Sequence, residues 1–435
     1  MFSIKEKLAN SKPWVTVLFA SLATFFTYSC MYAYRKAFTS GSFADAPGLA
    51  FFDKELTFKT LIVISQLLGY TLSKFLGIKI ISEASNAKRQ RMILMIIGVA
   101  WISLIGFALA PVKFKPIFMF LNGLPLGMVW GLVFSFIEGR RFTEMMGAAL
   151  CTSFALASGF AKTVGSSLVE NYNIGEYWMP FATGALYFIP LVIAVWMLGQ
   201  IPPPTAEDVA ARMERLPMTK AQRRDVFRRF APGLVLLIIT YVLLSAFRDY
   251  RDNFQKEIFV EMGFDKKPAI FAQTESIVSF GVLAILAMFV FISDNKRAFF
   301  TNKWIIVGGL SLAGVSTLLY TNGIIGPIVW MTLTGFATYI AYIPFNAFLF
   351  ERFIAVFKLT ANAGFLIYLA DSFGYLGSVS VTLYKDLFSA KINHLQFFIN
   401  ANYILAVLGA GFMIMGTIYF TRKLKKADMP AKVIR

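Results

Sequence analysis

Six charged residues stand inside or at the ends of otherwise apolar stretches: Arg35, Lys74, Lys162, Arg248, Glu275 and Asp371. In a lipid environment each such charge costs about 2.5–3.5 kcal/mol, so it marks a ligand contact, an ion path or a partner charge. Asp371 is the most isolated, with no other charge between Lys358 and Lys385. It calls for a cation across a cavity, and Lys74 or Lys162 is the expected partner. The two arginines suit a different task. A planar guanidinium fork holds phosphate or carboxylate oxygens in pairs, strongly where water is excluded. Each position also has a plainer reading. Lys74 can snorkel to a headgroup, Glu275 can begin its helix at a surface, and Arg35 and Arg248 can anchor helix ends. Tyr32, one turn before Arg35, is a candidate to line the same cavity.

Other chemistry is poorly represented. His394 is the only histidine, and Cys30 and Cys151 lie in apolar runs that suit small core residues. No nucleophile elbow, phosphate-binding loop or zinc-protease motif occurs. The chain is therefore not expected to be an enzyme or to carry a metal or other cofactor.

The elements that must position these charges follow from composition. Of 435 residues, 57% are hydrophobic and only 15% charged, against about 25% charged in soluble domains. Lipid is the solvent that fits. Apolar stretches of about 20 residues predict twelve helices, with Trp304–Phe350 divided by a turn at Asn322-Gly323 and Pro327. The first run, from Trp14, is too long for a signal-peptide core and is expected to be retained. The net charge of +18 reads as basic loops on one face rather than nucleic-acid binding. Those loops place both termini in the cytoplasm of a multi-pass inner-membrane protein, expected to be monomeric, with a small anion and the bilayer as its partners.

The chain also repeats itself. Arg248 follows Arg35 by 213 positions, and Glu351 follows Glu138 by the same 213. Gly377-Ser378 follows Gly165-Ser166 by 212, and Ser293-Asp294 follows Ser82-Glu83 by 211. Four matches at nearly one offset predict two six-helix bundles, residues 1–200 and 230–435, joined by a basic cytoplasmic linker, 201–229. Transporter halves related in this way hold their ligand between them near the midplane. Arg251 has no counterpart in the repeat and is expected to tolerate lysine.

Several motifs together carry a resemblance. Tyr34-Arg35-Lys36-Ala37-Phe38, Gly69-Tyr70-Thr71-Leu72-Ser73-Lys74-Phe75, Arg248, Glu275 and Phe373-Gly374-Tyr375-Leu376-Gly377 resemble the major facilitator superfamily. Within it they resemble the organophosphate:phosphate antiporter branch. Glu83-Ala84-Ser85-Asn86 keeps only the acid of the superfamily's signature between helices 2 and 3, and Glu138-Gly139-Arg140-Arg141 replaces an aromatic run. The resemblance implies a secondary transporter exchanging an organic phosphate for inorganic phosphate. Arg35, Arg248, Lys36, Lys74 and Tyr32 would then contact substrate, and Asp371, Glu275 and Lys162 would supply buried or coupling charges. Glu138, Arg140, Arg141, Glu351 and Arg352 would form a cytoplasmic latch, unless they only anchor helix ends. A proton-coupled organic-anion symporter and a non-transporting membrane sensor remain the alternatives.

Overall fold

The computed structural model describes residues 4–51, 54–82, 86–140, 142–205, 207–208, 220–292, 294–359 and 363–428. Twelve long helices follow one another: α1 (Pro13–Lys36), α2 (Phe58–Ser82), α3 (Asn86–Leu109), α4 (Val112–Phe134), α5 (Thr143–Glu170) and α6 (Met179–Gln200). They continue as α7 (Lys220–Asn253), α8 (Ala269–Ala287), α9 (Asn295–Thr321), α10 (Pro327–Val356), α11 (Ala363–Phe388) and α12 (His394–Lys426). Eleven are long and apolar enough, among the described residues, to cross a membrane. The 25-residue α2 completes the expected twelve. This is an all-α polytopic membrane protein.

Local chemistry explains the helix ends. Pro13 and Pro327 open α1 and α10, where a missing N–H leaves no bond unmade. Asp294 caps α9 by accepting from the Arg297 amide at 2.6 Å. Gly323, at φ +72°, makes the turn expected between α9 and α10, a backbone angle that suits glycine. Large apolar side chains such as Met95, Ile102, Ile189, Phe280 and Val407 remain exposed on the helices, as lipid contact requires.

Two compact units arise. The first comprises Met1–Met213, Arg248–Ala287 and Ser378–Ile399; the second comprises Glu214–Phe247, Met288–Gly377 and Asn400–Arg435. In the first unit α5 packs against α1 and α8. Gly159 permits the close approach to α8: a Cβ there would lie 2.7 Å from the Phe271 carbonyl oxygen and from the Glu275 Cβ. The α1–α2 connection includes a small hairpin, β1 (Leu49–Phe51) antiparallel to β2 (Lys54–Leu56). In the second unit α9 packs against α10, and Pro344 precedes a wide π-helical turn over Phe345–Leu349. Cys30 and Cys151 are free and buried.

The described end of the basic linker, from Lys220, belongs to helix α7. Arg141 and Glu83-Ala84-Ser85 fall outside the described residues.

Candidate functional site

The first unit gathers a dense set of buried charges. Lys36, at the end of α1, places its Nζ 2.6 Å from Asp252 Oδ2 and 2.6 Å from Asn253 Oδ1. Lys162 on α5 approaches the other oxygen of the same carboxylate, at 2.6 Å, and donates to Gln255 Oε1 at 2.8 Å. Ser158, four residues earlier on the same face of α5, also donates to Asp252. One carboxylate thus lies between two ammonium groups that are at most 2% exposed. Gln255 continues the network by donating to Glu275 Oε1 at 2.8 Å, and Arg251 Nη2 meets that same oxygen at 2.8 Å.

The arginines lie close by. Arg248 donates through Nε and Nη2 to Asp249 Oδ1 at 3.0 and 2.7 Å, while Ser378 donates to Oδ2 at 2.7 Å. Arg35 stacks on Tyr70, its guanidinium carbon 3.9 Å from the ring centre, and lies 5.7 Å from that of Tyr32. Lys74 approaches the Tyr70 and Trp130 rings at 5.6 and 5.8 Å, so Tyr70 serves two cations. These groups share one electrostatic environment. Tyr32 feels Arg35, Arg248 and Asp252, and Lys36 feels Arg35 and Asp249.

The α1 end that carries Arg35 and Lys36 is held by polar side chains. Gln66 on α2 donates to the Arg35 carbonyl at 2.9 Å and to Asn122 Oδ1 at 2.7 Å. Asn122 on α4 donates to the Tyr34 carbonyl at 3.1 Å. Carbonyls at a helix C-terminus lack intrahelical partners, and these two amides supply them. Beyond the helix end, Lys59 pairs with Glu257 at 2.5 Å and donates to the Thr39 carbonyl at 2.8 Å. Burial lifts the Glu257 carboxyl above the usual glutamate range, opposed by the Lys59 ammonium.

Among the described residues, Arg35, Lys36, Lys162, Arg248 and Arg251 face Asp249, Asp252 and Glu275. Lys36, Lys162, Arg248 and Arg251 pair with these carboxylates, while Arg35 and the likewise buried Lys74 share the Tyr70 ring. Buried cations gathered at this density make a setting that suits an anion.

The expected partners change in two places. Lys162 takes its carboxylate from Asp252, not from Asp371. Asp371 lies in the second unit, where Tyr241 donates to its carboxylate; the Tyr342 hydroxyl is 2.8 Å from that of Tyr241, and their rings stack. Arg251 is 2% exposed and ion-paired to Glu275, so it is part of the network and not a tolerant bystander. The described members of the expected latch lie at or near helix ends. Arg140 donates to the Pro202 and Phe136 carbonyls, and Arg89 feels Glu138. Glu351 and Arg352 belong to the end of α10, and Arg352 Nη1 lies 2.5 Å from Asn295 Oδ1.

Counting apolar residues missed Asp249, Asp252 and Asn253, because the uncharged run of α7 stops at Phe247 and the helix does not. It also missed Gln255, just beyond that helix, and Lys59 at the start of α2. The signal was present in the periodicity: Arg248 and Asp252 recur at the spacing of one helical face.

The chain has the major facilitator fold. A bacterial homologue of the human lysosomal transporter Spinster, described as inward-facing and unoccupied, superposes with a TM-score of 0.62 at 12% identity. That match covers 95% of this chain and 99% of the other. A D-xylose–proton symporter matches with a TM-score of 0.55 at 17% identity, covering 93% and 97%. No curated protein matches the sequence. The chain belongs to the family described as "Family of unknown function (DUF5690)", which matches residues 37–423.

Proposed function

We propose that this protein is a secondary active transporter for a small organic anion carrying two negative charges, and that an organic phosphate exchanged for inorganic phosphate is the best candidate. The observation that carries this reading is the gathering of buried cations Arg35, Lys36, Lys162 and Arg248 in one region. A phosphate monoester, at about −1.5 to −2 near neutral pH, suits such a cation-rich site without a co-bound cation. Asp252 acts as a built-in counter-anion that an arriving dianion displaces from Lys36 and Lys162. The resemblance to organophosphate antiporters points the same way.

Alternating access supplies the cycle, with residues 1–200 and 230–435 as the moving halves and both termini cytoplasmic. In the first unit, Asp386 accepts from the Thr57 amide and hydroxyl at 3.0 and 2.9 Å, and Lys256 reaches Glu170 at 3.3 Å. Together with Lys59–Glu257, these contacts fit a state closed on the side opposite the termini. Glu138, Arg140, Arg141, Glu351 and Arg352 are then the latch of the other state. The second reading, proton-coupled uptake of an organic anion, would use Glu275 or Asp371. It draws support from the buried Asp371–Tyr241 contact and from the fold shared with a proton symporter.

Thermal denaturation of the purified protein separates ligand classes. Ligand at 100 times its Kd stabilises by about 2.7 kcal/mol, so phosphate monoesters and inorganic phosphate should raise Tm by several degrees. Neutral sugars should leave it unchanged. Stabilisation by monocarboxylates alone, or by no anion, would remove the dianion assignment.

A further inference from the structure

One donor inside the charged network lacks an acceptor. Asn253, the last residue of α7, is 2% exposed and accepts from Lys36 through Oδ1 at 2.6 Å. An ammonium only donates, so the oxygen end of this amide must be the one that faces Lys36. The other end is thereby assigned as NH2. It is buried, and among the described residues no atom accepts from it. A buried donor left without a partner is costly, yet Lys36 is also held by Asp252 and keeps the amide where it is.

The residue type matters here. Aspartate at position 253 would accept from Lys36 equally well, but it would add another carboxylate and repel an anion. Leucine would fill the same space and hold no lysine. Asparagine accepts from the cation with one end and offers a neutral donor with the other. The two ends of an amide are joined through one carbon, so the Asn253 nitrogen lies within about 5 Å of Lys36 Nζ. Two donors at that separation can meet a single oxygen, each at an ordinary length of about 2.9 Å. The surroundings favour an anionic acceptor: Arg35 precedes Lys36 in the chain, Arg248 lies on the same helix as Asn253, and both are buried.

We propose that the Asn253 NH2 group is a direct contact for the transported anion, donating to an oxygen that Lys36 also binds. The assignment rests on the dianion reading above and adds to it a contact that carries no charge. Asp252 yields its place on Lys36 as the anion arrives, whereas Asn253 gains a partner. Such a donor selects for oxygens that accept, so it favours an ionised phosphate oxygen over a protonated one. A water molecule would satisfy the same amide and leave it no part in recognition. In that case Asn253 is only a tether for Lys36, and the two roles predict opposite effects of removing it.

Calorimetric titration of the purified full-length protein with inorganic phosphate tests the contact. Asn253→Ala should bind phosphate about 10–100-fold more weakly than wild type, the range of one hydrogen bond to a charged group. A tether would behave the other way, because alanine frees Lys36 for the anion and leaves binding equal or tighter. A second readout does not depend on the alanine variant folding. In wild type isotope-labelled at asparagine nitrogen, the side-chain amide signal of Asn253 is identified by its absence in Asn253→Asp, and it should move as phosphate is added. Phosphate binding by Asn253→Ala as tight as wild type, or an amide signal that stays in place while phosphate saturates, would overturn the contact and leave the dianion reading standing. Failure of wild type to bind phosphate would overturn both.

Discussion

Asp252→Asn should be among the most damaging single substitutions in the chain. The carboxylate accepts from Lys36, Lys162 and Ser158 together, and asparagine keeps the shape while removing the charge. Two ammonium groups then remain buried beside one another with no counter-charge between them. Removing one partner of a buried pair costs about 3–5 kcal/mol, a large part of the about 5–15 kcal/mol that typically holds a domain folded. Tm of the purified variant should fall sharply. The double variant Lys162→Met with Asp252→Asn should recover part of the loss, since it removes one of the stranded cations. If the single variant melts like wild type, Asp252 is not the counter-anion of the two lysines. If the double variant is merely additive, Lys162 and Asp252 are not coupled.

The second large effect concerns Arg35 and Arg248. Lysine in either place keeps the positive charge and loses the planar fork. At position 35 it also loses the stack on Tyr70, and at 248 the paired donation to Asp249. Both variants should fold, because the number of buried charges is unchanged. Anion exchange should fall by about 10–100-fold, the equivalent of one charge-assisted hydrogen bond worth about 1.5–3 kcal/mol. Initial rates in proteoliposomes containing equal amounts of protein would read this directly. Near-normal exchange in both variants would leave the arginines as anchors of helix ends.

Much of the architecture is legible in the amino-acid order because lipid imposes a simple rule: a span must be long, apolar and helical. The turn at Asn322-Gly323 and the twelve helices follow from it. Isolated charges such as Lys162 and Glu275 stand out for the same reason, and both lie in the charged network. The partners are harder to read. Apolar counting gives the depth of a charge but not the neighbour its helix face meets. Asp371 and Lys162 therefore look complementary in sequence, while Lys162 actually meets Asp252 and Asp371 accepts from Tyr241. The segment Arg248-Asp249-Tyr250-Arg251-Asp252-Asn253 looks like the polar end of a span because its charges are consecutive. It folds as helix, and in the interior Arg251 pairs with Glu275 and Asp252 with Lys36 and Lys162. The Gln66–Asn122 support of α1 has no sequence signature, since it depends on three helices meeting at two carbonyls.

The proposed function of this chain is to carry a dianion across the membrane by exchange. Radiolabelled inorganic phosphate counterflow in proteoliposomes tests it most directly. Vesicles loaded with unlabelled phosphate or a phosphate monoester should accumulate external label transiently without any pH gradient, and empty vesicles should not. Label uptake that requires an inward proton gradient and ignores internal phosphate would contradict exchange, and tight phosphate binding with no flux would contradict transport itself.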